Sequence, residues 1–336
     1  MNPFFCAEAS RQADEDIIGS GTNYSTYILV ECPTPWAANA FDSKSLPNNL
    51  KTLVEEVKQS QRSIRFLLLA PNKSQPTNGT KVLIFEQEQG GLSRGYQKHE
   101  FNVAQIEQVA GIVEQYLAGE SPDCEEETDE TRDILVCTHG SHDKCCARYG
   151  NPFYREALKI VAELSLSKVR IWQASHFGGH RFAPTAIDFP DGRYYGGLKR
   201  DSFISILTRT GDIECLKKVY RGWSILPTSM QVLERELILL SGWDWFHYKV
   251  TGRILKQSFN NSFIKAELTF EKPDSSIYTY RAQLVRDENK TMRLRGSCGA
   301  MKESEFVKYY VDNLTESSGK PTPFDISKNP DFGTVA

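Results

Sequence analysis

The sequence predicts an α/β protein in which one order of strands and helices occurs twice and is followed by an α+β antiparallel meander. Three observations carry this prediction. Apolar runs alternate with amphipathic stretches over residues 24–119, the same order returns over 134–211, and strict period-two alternation begins near residue 247. Between the repeats, residues 120–133 hold eight acids and one base, Arg132, which is typical of a solvated linker.

The first repeat contains the elements of a small sheet covered by helices. Strand, helix, strand, hairpin and helix is the thioredoxin-type order. The sequence therefore predicts a first thioredoxin-like domain, which we expect to lack metal. Its predicted elements are a strand at Tyr24–Val30, a helix at Leu46–Arg62, apolar strands at Ile64–Ala70 and Lys81–Glu86, and an amphipathic helix at Val103–Leu117.

The second repeat has the same order and predicts a second thioredoxin-like domain. Asn151 and Pro152 mark the start of its first helix, because Pro is favoured at the first helical position. Its other predicted elements are strands at Asp133–Val136 and Lys168–Ala174, a hairpin of Ala186–Phe189 and Arg193–Tyr195, and a helix at Lys199–Thr210.

The remainder of the chain changes character after residue 211. We expect a helix at Met230–Leu240, three alternating strands and a last helix at Ser304–Leu314. The strands are His247–Ile254, Ile264–Phe270 and Tyr278–Leu284. The predicted organisation is thus an N-terminal tail (1–23), two domains (24–119 and 134–211) around the acidic linker (120–133), a C-terminal α+β domain (212–316) and a tail (317–336).

Composition excludes several classes of protein. The 336 residues include 40 Lys and Arg against 43 Asp and Glu, a formal charge of −3, which excludes a globally basic nucleic-acid binder and a polybasic membrane anchor. The longest apolar run, Ile64–Pro71, is far shorter than a membrane-spanning helix. We find no signal-peptide pattern at the N-terminus and expect a cytoplasmic protein.

Two blocks of the second repeat concentrate metal-binding residue types. The first, CTHGSHDKCC, runs from Cys137 to Cys146, and the second, SHFGGHRFAP, contains His176 and His180. Because Gly178 and Gly179 separate the histidines, a loop is favoured over a helix. Each block follows a predicted strand, so the two loops can share one edge of the sheet. Thiolates and neutral imidazoles would then converge.

This donor set suits either tetrahedral Zn²⁺ or a [2Fe–2S] cluster with mixed ligands. Spacing alone does not separate iron–sulfur, zinc and a site without metal. His139 and His142 lie close to the cysteines, where they could donate hydrogen bonds to sulfur. The isolated cysteines, Cys6 and Cys124 in polar stretches and Cys32, Cys215 and Cys298 elsewhere, are interpreted as bystanders or small apolar side chains.

These blocks, with DGRYYGGL at Asp191–Leu198 and YILVECPTPW at Tyr27–Trp36, resemble the sucrase/ferredoxin-like family, which includes the thioredoxin-like ferredoxins and the fungal actin-patch distribution protein. The resemblance covers about 23–210. It implies a [2Fe–2S] cluster bound by two cysteines and two histidines. Carried over, the ligands are Cys137, Cys146, His176 and His180, with Cys145 as the alternative thiolate and His139, His142, Gly178 and Gly179 around them.

The resemblance implies an intracellular one-electron carrier. The chain has no dinucleotide or P-loop motif with which to bind a reducing cofactor of its own. Electrons would come from a redox partner protein such as a flavin reductase. No pair of carboxylates is marked as a sugar-hydrolysing site, so sucrase activity has no support. Two alternatives remain: a zinc-stabilised binding module, and a thiol–disulfide oxidoreductase, although the chain has no C-x-x-C motif. The oligomeric state is not predicted.

Overall fold

The computed structural model describes residues 4–71, 79–88, 91–126 and 130–317. Helix α1 precedes the first repeat, whose strands and helices then follow in the predicted order. The first half comprises α1 (Cys6–Gln12), β1 (Thr26–Glu31), α2 (Asn48–Gln59), β2 (Ile64–Leu69), β3 (Thr80–Gln87), β4 (Tyr96–Val103) and α3 (Val109–Leu117). The second half comprises β5 (Arg132–Cys137), α4 (Asn151–Glu163), β6 (Val169–Ala174), β7 (Thr185–Phe189), β8 (Arg193–Gly196), α5 (Arg200–Thr208), α6 (Leu216–Val219) and β9 (Tyr220–Trp223).

The two halves share one nine-stranded mixed sheet with the order β4-β3-β1-β2-β6-β5-β7-β8-β9. In each half a parallel pair, β1 with β2 or β5 with β6, is followed by antiparallel strands. The halves join through a short antiparallel contact at which Leu69 opposes Ala174. The α/β class is therefore confirmed, and the repeated connectivity is visible. The predicted domain boundaries stay predictions.

Alternation along the first-half strands divides their side chains between two cores. Ile28 and Val30 face helices α2 and α3, whereas Tyr27 and Leu29 face the second half. Phe85 of β3 stacks on Phe189 of β7, with ring centroids 4.2 Å apart. The two half-sheets therefore pack against each other through one apolar face.

Buried charges also join the halves. Arg170 on β6 binds the carboxylates of Glu100 on β4 and Asp133 on β5. Lys98 binds the same two carboxylates at 3.1 and 2.9 Å. Each buried charge has an opposite partner, as burial requires. In the described part of the acidic segment, Glu125 binds His99 at 2.7 Å, so part of this predicted linker contacts β4.

The last third of the chain contains α7 (Met230–Ser241), β10 (Lys249–Gln257), β11 (Phe263–Glu271), β12 (Ile277–Arg286), β13 (Met292–Leu294), β14 (Ser304–Phe306) and β15 (Tyr309–Glu316). Helix α7 packs against an antiparallel sheet of order β10-β11-β12-β15, and β13 and β14 form a separate two-stranded sheet. The predicted helix at Ser304–Leu314 is wrong. Strand β15 replaces it because Tyr309 and Val311 alternate, pair with the free edge of β12 and pack on the core.

Both predicted tails meet the limits of this description. Helix α1 lies within the segment predicted as an N-terminal tail, and its residues Cys6, Ala7 and Ser10 are buried. The predicted C-terminal tail lies outside the described residues from residue 318 onward. Among the described helices, none is both long and apolar enough to cross a membrane.

Candidate metal centre

The cysteine loop begins at the end of a buried strand and returns to it. Cys137 is the last residue of β5, and the loop re-enters helical structure through a π-helical turn at Cys146–Gly150. Gly150 lies directly against the carbonyl of Cys137, at a distance that leaves no room for a Cβ. This close approach brings Cys146 back beside the strand end from which the loop left.

The histidine loop leaves the neighbouring strand at the same edge. Cys137 pairs with Ala174, the last residue of β6, and His176 follows two residues later. Gly178 and Gly179 have φ of 97° and 75°, a region that favours glycine, and His180 opens a short 3₁₀ turn. The predicted loop between the histidines is therefore confirmed, and strand register explains why it meets the cysteine loop.

Three of the four predicted ligands converge. Nδ1 of His176 lies 3.8 Å from Sγ of Cys137 and 3.7 Å from Sγ of Cys146. The ligand atoms of these three residues lie within 4.8 Å of one another. His180 adjoins His176, with ring centroids 5.1 Å apart, but its Nδ1 faces Cys6 at 3.3 Å. The fourth predicted ligand is thus next to the group rather than within it.

The protonation states favour metal binding by this group. Burial, together with the nearby His142 and His180, lowers the pKa of His176 to about 2. Its imidazole is therefore neutral and keeps a free lone pair. Burial alone would raise the pKa of the Cys137 thiol, but hydrogen bonds from Cys146 and nearby backbone N–H groups lower it. Cys146, the hydrogen-bond donor, has a raised pKa.

A first-half loop covers this edge of the sheet. Buried His139 donates from Nε2 to the carbonyl of Ala37 at 2.7 Å and accepts the backbone N–H of His176 on Nδ1 at 3.2 Å. These bonds fix its neutral tautomer, and burial lowers its pKa. His139 therefore holds the backbone of His176 rather than donating to sulfur. Exposed His142 stacks on His176, with ring centroids 4.0 Å apart.

A buried cation lies behind the histidine loop. Arg221 donates to the carbonyl of Gly178 at 3.1 Å and to the carbonyl of Ser20 at 2.6 Å. Burial lowers its pKa to about 10, so it remains charged at neutral pH. Its charge acts on Cys137, where it favours the thiolate.

The alternative thiolate, Cys145, points elsewhere. Its Sγ lies 3.5 Å from Sγ of Cys6 and 3.4 Å from Sγ of Cys298. The structure therefore places Cys146, and not Cys145, beside Cys137 and His176.

Comparison with known proteins identifies the family of this chain. A family profile described as Sucrase/ferredoxin-like matches residues 17–222, which is more than half of the chain. The chain belongs to the sucrase/ferredoxin-like family. The predicted resemblance is confirmed, and residues with metal-binding side chains occupy the region where the family's blocks converge.

One curated relative of this sucrase/ferredoxin-like chain is the Altered inheritance of mitochondria protein 32 of Meyerozyma guilliermondii. It is 31% identical over 103 residues, which are 29% of this chain and 35% of the relative. The chain thus spans about a third of that relative's length. No solved structure gave a significant match.

The structure of this family member also reveals residues that the sequence did not indicate. The sequence pattern indicates a bystander at Cys6 and a small apolar side chain at Cys298, yet both contact Cys145. Cys6 and Cys145 are 139 positions apart, and Cys145 and Cys298 are 153 apart. No local spacing connects residues at such separations. Arg221 escaped notice for the same reason, since its partners Ser20 and Gly178 are distant in sequence.

Proposed function

We propose that this chain binds a [2Fe–2S] cluster through Cys137, Cys146, His176 and His180 and carries single electrons. The observation that supports the proposal most directly is the convergence of Cys137, Cys146 and His176 at one sheet edge. The chain's membership of a ferredoxin-like family adds to this support. We also infer that each half, with its repeated strand connectivity, is a thioredoxin-like unit.

The donor set fits this cofactor. Thiolates and neutral imidazoles are the ligands of mixed Cys/His [2Fe–2S] centres, and both histidines here have lowered pKa values, mainly through burial. A bound cluster would supply one-electron exchange. His180 would be the fourth ligand, because its ring adjoins that of His176.

The surrounding residues would tune and protect the centre. Arg221 places a buried positive charge close to Cys137, which favours the more negative, reduced state. Trp36 and His139, packed edge to face at 5.6 Å, keep water from the inner side. His142 is exposed and stacks on His176, so electrons would enter along this imidazole edge. A redox partner protein, such as a flavin reductase, would dock there.

Spectroscopy of the full chain tests the proposal. Protein purified without oxygen should be red-brown, contain two iron and two sulfide per chain, and give a reduced-state electron paramagnetic resonance signal. Cys137→Ala should abolish all three signals. Cys215→Ala is the matched control, because Cys215 lies outside every Cys/His/carboxylate group of the described residues. Colourless protein with zinc on Cys137 and Cys146 would favour the zinc-stabilised module, and metal-free protein would favour the thiol–disulfide oxidoreductase.

We propose a cytoplasmic location. The name of the Meyerozyma relative refers to mitochondria. The mitochondrion is therefore the alternative location against which the cytoplasmic location is tested. Fractionation of cells that express the tagged full-length protein distinguishes the two.

A further inference from the structure

A second group of sulfur atoms lies beside the first. Sγ of Cys6, Cys145 and Cys298 form a triangle with edges of 3.5, 3.4 and 3.7 Å. They come from helix α1, the cysteine loop and the segment between β13 and β14. Sulfurs bound to one tetrahedral Zn²⁺ at about 2.3 Å are separated by about 3.8 Å. The triangle is close to that size.

A buried carboxylate completes this group. Asp143 Oδ1 accepts the backbone N–H of Cys145 at 2.8 Å, and Oδ2 accepts the backbone N–H of Cys298 at 3.0 Å. Oδ1 also lies 4.0 Å from Sγ of Cys6. One carboxylate therefore fixes the backbone at two of the three cysteines and faces the third. All four ligand atoms lie within 4.8 Å of one another.

The surroundings of the triangle resemble those of bound sulfur. The backbone N–H of Ala7 donates to Sγ of Cys145 at 3.4 Å, a bond of the kind that supports metal-bound thiolates. Ala7 and Ala183 pack against the sulfurs in a small cluster separate from the two main cores. Cys298 is half-buried, which gives a cation a route from solvent.

We propose that Cys6, Cys145, Cys298 and Asp143 form a second metal site that binds one Zn²⁺ ion. This site shares no residue with the proposed cluster ligands but adjoins one of them, because Nδ1 of His180 lies 3.3 Å from Sγ of Cys6 and 3.5 Å from Oδ2 of Asp143. Each thiol releases its proton to solvent as its sulfur binds the cation. The ion ties the N-terminal helix and the segment after β13 to the cysteine loop. Because Cys145 adjoins Cys146 in sequence, this tie also fixes the loop that carries the proposed cluster thiolate.

Elemental analysis of the full chain, with zinc and iron measured separately, tests this site. Protein from zinc-supplemented cells should hold one zinc per chain. Cys6→Ala and Cys298→Ala should each reduce zinc at least tenfold. Cys298→Ala should leave iron unchanged, and Cys215→Ala should change neither metal. Unchanged zinc in both variants would overturn the proposal. So would the loss of iron from folded Cys298→Ala protein that keeps its zinc, because Cys298 would then serve the other centre.

Two measurements on the unmodified chain keep the test independent of how the variants fold. Zinc X-ray absorption should give three sulfurs at about 2.3 Å and one oxygen. Fewer than three sulfurs would overturn the proposal, as would zinc-free protein with a disulfide between two of the three cysteines. Since zinc is counted apart from iron, a chain that holds zinc here but no iron would refute the proposed electron carrier and leave this site standing.

Discussion

Gly179 packs directly against the buried guanidinium of Arg221. A Cβ at this position would overlap the guanidinium, and the φ of 75° already disfavours any other residue. Arg221 in turn binds the carbonyl of Gly178, one residue earlier. The conformation of the histidine loop is therefore set by glycines closing over a buried cation.

Gly179→Ala should disturb this arrangement. Backbone strain and overlap with Arg221 should lower the free energy of unfolding by about 1–3 kcal/mol and reduce bound iron. Gly111→Ala is the control: this glycine lies within α3 with open space around it, so alanine should be neutral or stabilising by up to about 1 kcal/mol. Urea unfolding and iron analysis measure both effects. Equal stability of the two variants would contradict the packing described.

Arg221→Met should lower the reduction potential of the proposed centre. The substitution removes a buried positive charge close to Cys137, and the reduced state carries one more negative charge than the oxidised state. Voltammetry of both proteins measures the shift. A potential that is unchanged or higher in a variant that retains its iron would show that Arg221 does not act on the centre electrostatically.

The two adjacent cysteines should have separate effects. Cys146→Ala should lose the iron, because Cys146 lies beside Cys137 and His176. Cys145→Ala should keep the iron and lose the zinc, since its sulfur faces Cys6 and Cys298. Metal analysis of the two variants side by side decides the assignment, and the reverse pattern of iron loss would exchange their roles.

Acid should weaken the buried contacts that Glu15, which follows α1, makes with Arg181 and Lys308. Burial alone would raise the pKa of Glu15, but Arg181 and Lys308 lower it below its usual 4.5. A lowered folded-state pKa gives stability that is present above 4.5 and lost as the pH falls through the folded value.

The Glu15→Gln variant checks the sign of this effect. At pH 7 it should be less stable than the parent by about 3 kcal/mol, because Arg181 and Lys308 lose their buried partner. The difference between the two proteins in urea should shrink below pH 4.5. A difference that stays constant from pH 7 to pH 3 would mean that Glu15 is not the titrating group.

Sequence patterns predicted the strands well where alternation or apolar runs were strong. Tyr27 and Ile28 face different cores, so β1 is buried on both faces and appears in the sequence as a continuous apolar run. The helix predicted at Ser304–Leu314 was wrong because the spacing of the apolar residues there fits both a helix and an edge strand. Only the free edge of β12 decides between them.

The candidate site was predictable only where its residues follow adjacent strands. Cys137 and His176 could be placed together because parallel strands end at one edge of a sheet. His139 accepts the backbone N–H of His176 and is itself held by the carbonyl of Ala37. Ala37 belongs to the other half of the chain, about a hundred positions earlier. Contacts across such separations come from how the halves pack, which local spacing does not encode.

The bond from His139 to Ala37 has a consequence for engineering. A minimal version that keeps only residues 130–317 would retain every proposed cluster ligand but lose the carbonyls that hold His139 and His142. It would also expose the apolar face on which Phe85 stacks against Phe189. The first repeat is therefore not a removable module, and truncation to the second repeat is a poor route to a smaller protein that keeps the proposed metal centre.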